Sequence, residues 1–127
     1  MIDSNKSIVQ SFLAASRSGN LDKVKQLLHP EVRIVEAESL PFGGTVTGVD
    51  GFTRLVRQVF MTFTDTAVEL DEFIAEGDAV VVLATLIDKS KATGEAFRTP
   101  ISEIWRLLAG RIVEIRPFYH DTQKVNM

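Results

Sequence analysis

Apolar residues recur at two different intervals along this 127-residue chain, and the switches between them divide it into helical and extended stretches. Near the start, Ile8, Phe12 and Ala15 stand at helical spacing, flanked by Val9 and Leu13. Asp3 or Ser4 can cap this helix, and Gly19 suits its end. Asn20 is placed to cap a second, short helix whose apolar face is Leu21, Val24, Leu27 and Leu28. His29-Pro30 ends it, because the residue before a proline is driven out of the α region. From Glu31 to Ala37 the period drops to two. Val32, Ile34 and Glu36 share one phase, and Glu31, Arg33, Val35 and Ala37 the other. Pro41 and the Gly43-Gly44 pair mark a tight loop or a short bent hairpin. The helical period returns at Val49. Phe52, Val56, Val59, Phe60 and Phe63, with Leu55 beside them, form one broad apolar face, whose ordinary use is packing against a sheet.

The remainder reads as strands. Ala67 to Ala75 is one, Glu76-Gly77-Asp78 a turn, and Ala79 to Asp88 a β-branched strand, apolar on both faces and so expected to be central. Lys89 to Gly94 is a polar turn. Pro100 to Asp121 reads as a β-hairpin turning at Ala109-Gly110. Pro100 cannot donate to a ladder, which predicts a bulge or a strand edge there. On the first arm Ile101, Trp105 and Leu107 share a face with Glu103 in its middle. On the second, Glu114 and Arg116 oppose Val113 and Ile115, whose phase Tyr119 and Asp121 share. The tail after Asp121 is polar and expected to be loose. The order α-α-β-(loop)-α-β-β-β-β predicts an α+β fold over residues 1–127 as one domain. Successive strands with tight turns make an antiparallel sheet with the helices on one face and a cavity between.

Composition narrows the function. With 45% hydrophobic and 24% charged residues the chain has the make-up of a soluble globular domain. A net charge of -3 argues against non-specific nucleic-acid binding. The absence of cysteine excludes disulfide scaffolds, thiolate metal sites and cysteine nucleophiles, and two remote histidines make no metal site. The N-terminus lacks a signal-peptide layout, and the apolar run Ala79 to Ala84 is far too short to span a bilayer, so a cytoplasmic location without membrane attachment is expected.

The chemistry-bearing residues are acids that fall in phase with apolar neighbours. Ionised carboxylates are rarely buried unpaired, so Glu36 and Glu103 point to a cavity. In an apolar site their pKa values rise, and one acid can serve as base while the other stays protonated. The competing reading pairs Glu103 with an arginine across the sheet or turns Glu36 to solvent. Asp121 is divided between a cavity acid and a capping or surface role, because Pro117 can shift the phase. His120 points away from Asp121 if alternation holds, which speaks against a His-Asp pair. Trp105 and Tyr119 each carry a polar handle that seeks a partner when buried.

The paired helices ending near Gly19-Asn20-Leu21, the LPFGG loop with Thr47-Gly48 before the third helix, and the ending EIWRLLAGRIVEIRPFYHDT together resemble the nuclear transport factor 2-like superfamily. Within it they resemble the SnoaL-like group and the ketosteroid isomerases. The resemblance covers nearly the whole chain. It implies a cystatin-like α+β roll: a cone-shaped, curved antiparallel sheet wrapped around a long helix, with an N-terminal helix pair. It implies Glu36, or Glu38 after a small slip, as general base, and Glu103, in the run Glu103-Ile104-Trp105-Arg106, as the second acid. Asp121 falls where SnoaL cyclases use an acid. Phe12, Phe52, Val56 and Phe60 from the helices and Trp105, Ile115 and Tyr119 from the hairpin would then line the substrate site. Phe12 is a departure, for it stands where the isomerases carry a catalytic tyrosine. A hydrolase resembling the limonene epoxide hydrolases is disfavoured, since those place an arginine two residues before the strand acid, where Ile101 stands. The resemblance thus implies either a cofactor-independent isomerase or cyclase acting on a small apolar or carbonyl-containing molecule, or a non-catalytic dimeric ligand-binding or assembly module. It implies a homodimer through the outer sheet face, where Ile104, Phe118, Arg106 and Arg116 lie.

Overall fold

The computed structural model describes residues 4–126. Helix α1 (Asn5–Ser18) starts at Ser4, whose hydroxyl accepts the Ser7 N–H at 3.1 Å, and ends at Gly19 in the left-handed conformation, φ 75°. Asp3, the other candidate cap, lies outside the described residues. Asn20 caps α2 (Leu21–Leu27) by accepting the Lys23 N–H at 3.2 Å. Leu28 is no longer helical. It opens β1 (Leu28–Glu36), which takes in His29 and Pro30 and so begins before the Glu31 expected from alternation. The His29 ring accepts the Glu31 N–H through Nδ1, which helps turn the chain from helix to strand.

Strand β2 (Gly44–Thr47) is the expected bent hairpin, paired with the end of β1 and placing Gly44 opposite Glu36. Gly43 has no room for a side chain: a Cβ there would come within 2.3 Å of the Ala37 carbonyl oxygen. The loop therefore folds back tightly on β1, and Phe42 is buried edge-on to Phe63, centroids 5.9 Å apart. Helix α3 (Gly48–Thr62) follows, then β3 (Phe63–Glu76), β4 (Ala79–Ser90), β5 (Ala96–Leu108), β6 (Arg111–Tyr119) and a final turn of helix, α4 (Thr122–Val125).

The six strands form one sheet in the order β2-β1-β6-β5-β4-β3. The expectation of a wholly antiparallel sheet is corrected at one seam: β1 runs parallel to β6. Local hairpins set the direction of each sequential pair, but β1 and β6 are joined through all the intervening elements, and no turn constrains them. The inner face buries Val80 and Val82 of β4, Ile101, Trp105 and Leu107 of β5, Ile112 and Ile115 of β6, and Val32 and Ile34 of β1.

Three further expectations are revised, and at Pro100 one of the two expected alternatives, the bulge, falls away. The turn at Ala109-Gly110 is as expected, with φ 51° and 79°, yet the register slips between Arg106 and Leu107. Val113 sits in that bulge, so Ile112 and Ile115, rather than Val113 and Ile115, are the buried pair of β6. Pro100 causes no bulge against β4, where the register is continuous. It lies just past the last β5–β6 pair, where its missing N–H removes no bond. On α3 the deeply buried positions are Gly51 and Leu55, while Phe60 is 64% exposed and Phe63 belongs to β3. The tail is not loose through residue 126, because Val125 of α4 is 1% exposed and packs into the core.

Candidate functional site

Three strands bring the acids together. Parallel pairing sets Ile34 of β1 level with Ile115 of β6, so two residues further on Glu36 is level with Pro117. Antiparallel pairing sets Pro117 opposite Glu103 of β5. Glu36, Pro117 and Glu103 thus form a row across the sheet, with the two acids one strand apart, about 10 Å between backbones. All three side chains face the helices and line a cavity of about 270 Å³. Helix α1 roofs it with Phe12, Leu13 and Ser16, and α3 with Phe52 and Leu55 among others. Phe12 is locked edge-on to Trp105 at 5.2 Å and to Phe52 at 6.0 Å between centroids.

Each acid has one oriented donor. The Tyr119 hydroxyl donates to Glu36 Oε1 at 2.8 Å. Trp105, two residues along β5 and hence on the same face, donates its Nε1–H to Glu103 Oε1 at 3.3 Å. Burial dominates the electrostatics. It pushes Glu36 from 4.5 up to about 7, against the Tyr119 hydrogen bond and with the help of the Glu103 charge. It likewise pushes Glu103 from 4.5 to about 7, against the Trp105 hydrogen bond. Tyr119 is held strongly upward by burial and then by the charge of Glu36, so it remains a phenol and a donor. Both carboxyls are thus raised toward neutral pH mainly by burial.

The structure gathers Glu36, Glu103, Phe12, Phe52, Val56, Phe60, Trp105, Ile115 and Tyr119 around this cavity. Glu38 is exposed and is not among the lining residues. Asp121 likewise stands outside the cavity. Its carboxylate caps α4, accepting the N–H groups of Gln123 at 3.1 Å and Lys124 at 3.4 Å, and it does not line the cavity. The alternation that placed it with Tyr119 stops at β6, which ends at Tyr119. His120 is exposed.

Sequence reasoning missed Leu13, Ser16, Ile34, Leu55, Val59 and Pro117 as lining residues. Ser16 lies one helical turn beyond Phe12, and Ile34 is in phase with Glu36, so both carried a signal. It also missed Asp88, which is 3% exposed on the inner face and accepts from the Thr66 hydroxyl at 2.7 Å and the Lys89 N–H at 3.1 Å. Asp88 continues the buried phase of Val80, Val82 and Ala84, and burial raises its pKa. Among the described residues no group of His, Cys, Asp and Glu could hold a metal ion, and no helix is long and apolar enough to cross a membrane.

A family model described as SnoaL-like domain matches residues 9–115. Among solved structures the chain is similar to an NTF2-like protein from Burkholderia thailandensis E264, with 25% identity over 96% of this chain and 94% of that one, at a TM-score of 0.89. It is similar to an NTF2-like protein of unknown function from Burkholderia pseudomallei K96243, with 27% identity, 96% and 95% coverage, and a TM-score of 0.87. In fold it also matches TerC, co-crystallised with polyporic acid, at 23% identity, 94% and 93% coverage, and a TM-score of 0.84. None of the curated proteins matches the chain. The architecture is the NTF2-like, cystatin-like α+β fold.

Proposed function

The chain belongs to the SnoaL-like domain family, and we propose that it binds a small, mostly apolar carbonyl compound between α1, α3 and the sheet and moves a proton on it without a cofactor. One observation carries this reading: two largely buried carboxyls, Glu36 and Glu103, partly open to the same apolar cavity, are each held by a single donor. Glu36, as carboxylate, takes a proton from the carbon beside the carbonyl. The C–H electron pair becomes the enolate double bond, and charge collects on the oxygen. Glu103, protonated, donates a hydrogen bond to that oxygen. Protonated Glu36 then returns its proton at another carbon of the same system, which is an isomerisation. Alternatively the enolate carbon attacks a second carbonyl of the same molecule, the C=O electron pair moves onto that oxygen, and the proton held by Glu36 is returned there, which is a cyclisation. Tyr119 keeps Glu36 oriented between the two transfers.

The test is deuterium uptake by NMR from D₂O into aryl ketones, steroidal enones and polyketide-like aromatics. Exchange should depend on protein and fall about 10²- to 10⁴-fold in Glu36→Gln. Exchange that survives Glu36→Gln unchanged refutes the assignment of the base.

A second reading, a ligand-binding module that turns nothing over, draws on Phe12. Helix α1 offers the cavity a hydrocarbon ring and no hydroxyl at this position. Under this reading the same compounds raise the melting temperature by mass action but show no exchange.

We also propose a homodimer through the outer sheet face. Exposed Phe118 and Ile74 lie there, beside Glu114, which sits among Arg33 at 3.9 Å, Arg106 at 4.0 Å and Arg116 at 3.7 Å. Light scattering should give twice the chain mass, and Phe118→Glu should halve it.

A further inference from the structure

A second apolar cleft, of about 350 Å³, lies between α2 and α3. It differs from the acid cavity in three ways. Its lining includes two cations, Lys25 and Arg57, and no acid. Neither cation takes part in any of the ion pairs among the described residues. It also gathers three of the six exposed large hydrophobic side chains, Leu21, Phe60 and Met61, which are 62%, 64% and 72% exposed. Exposed apolar side chains scattered singly need no explanation, but a cluster rimmed by charge does. Phe52, Val56 and Phe60 line both the cleft and the acid cavity, so the two share a wall along one face of α3.

We propose that the cleft is a cation-tipped extension of the acid cavity, and that the ligand is an amphipathic molecule with an apolar body and a terminal carboxylate. The carbonyl end lies between Glu36 and Glu103. The body runs over Phe60 and Met61, and the carboxylate meets Lys25 and Arg57. Charge decides the direction. A carboxylate is repelled from a cavity that already holds two carboxyls, and is attracted to the adjoining wall that carries Lys25 and Arg57 and no acid. The stems of both cations can lie along the cleft while their heads stay wet. Size agrees, because the acid cavity alone, at about 270 Å³, lies just below the ~300–1,000 Å³ usual for ligand sites. This inference rests on the proposed function only for the placement of the carbonyl end.

The test uses ω-benzoyl alkanoic acids with spacers of increasing length, each beside its methyl ester, in calorimetric titrations at neutral pH. At the best spacer length the acid should bind about five- to tenfold more tightly than its ester, as expected of two partly exposed charge contacts. The preference should shrink at high salt. It should vanish in the doubly substituted Lys25→Gln, Arg57→Gln chain and persist in Lys23→Gln, whose side chain does not line the cleft. Equal binding of acid and ester by the unsubstituted chain overturns the proposal, as does a preference that survives the double substitution. A Met61→Glu substitution that changes the oligomeric mass also overturns it, since the cleft would then be covered by a second copy. A charge preference without deuterium exchange supports the cleft and removes the proton-transfer reading, so the two fail separately.

Discussion

Replacing Glu36 by glutamine should make the protein more stable at alkaline pH and leave it nearly unchanged at acidic pH. Glutamine keeps the acceptor oxygen for Tyr119 and nearly the same volume, but it cannot ionise. In the folded chain burial holds Glu36 at about 7 instead of 4.5. The folded state therefore holds this proton more tightly than the unfolded state. Below 4.5 both states are protonated and the residue imposes no penalty. As pH rises from there toward 7, the unfolded chain ionises first and stability falls. Above about 7 the full penalty is present. At about 1.4 kcal/mol per pH unit, the rise from 4.5 to about 7 amounts to about 3 kcal/mol. Glu36→Gln removes it. Urea unfolding of both chains between pH 4 and 9 reads the difference directly, and the other raised acids, Glu103 and Asp88, largely cancel in the comparison. The variant should gain about 3 kcal/mol at pH 8 relative to pH 4. A pH-independent difference, or a wild-type chain that is the more stable one above pH 7, refutes the placement of the Glu36 carboxyl out of bulk solvent.

Three further outcomes follow from particular contacts. Tyr119→Phe removes the hydrogen bond that lowers the Glu36 pKa, so carbon-13 NMR titration should find Glu36 titrating higher, and any Glu36-dependent exchange should shift its acidic limb to higher pH. Asp121→Ala deletes the cap of α4 and should cost about 1 kcal/mol in denaturant unfolding. It should leave deuterium exchange intact, and a lost exchange activity would return Asp121 to the site. Ala109, held at φ 51° in the β5–β6 turn, pays for a left-handed conformation that glycine adopts freely. Ala109→Gly should therefore gain roughly 0.5–1 kcal/mol, and a loss of stability would show that the turn is not strained.

Much of the site was legible in the chain because alternation is a local property. Glu36 falls in the phase of Val32 and Ile34, and Glu103 in that of Ile101 and Trp105, whatever those strands pair with. The caps at Ser4 and Asn20, the left-handed Gly19 and the turn at Ala109-Gly110 are local in the same sense. Asp88 was equally legible, since it continues the buried phase of β4. What the chain could not announce is which strands become neighbours. The parallel seam between β1 and β6 joins segments separated by most of the sequence, and it alone brings the Tyr119 hydroxyl to Glu36 and sets both acids beside Pro117. The bulge at Val113 and the end of β6 at Tyr119 reset the phase beyond them, which is why Asp121 turns out to cap a helix. Periodicity also misjudged Phe60. A helix can bury only the part of its apolar face that meets a partner, and the elements that meet α3 leave Phe60 exposed. The sequence thus determines the side on which each residue lies. Only the tertiary structure decides what stands opposite, because long-range pairing is settled by the packing of the whole sheet and leaves no periodic mark.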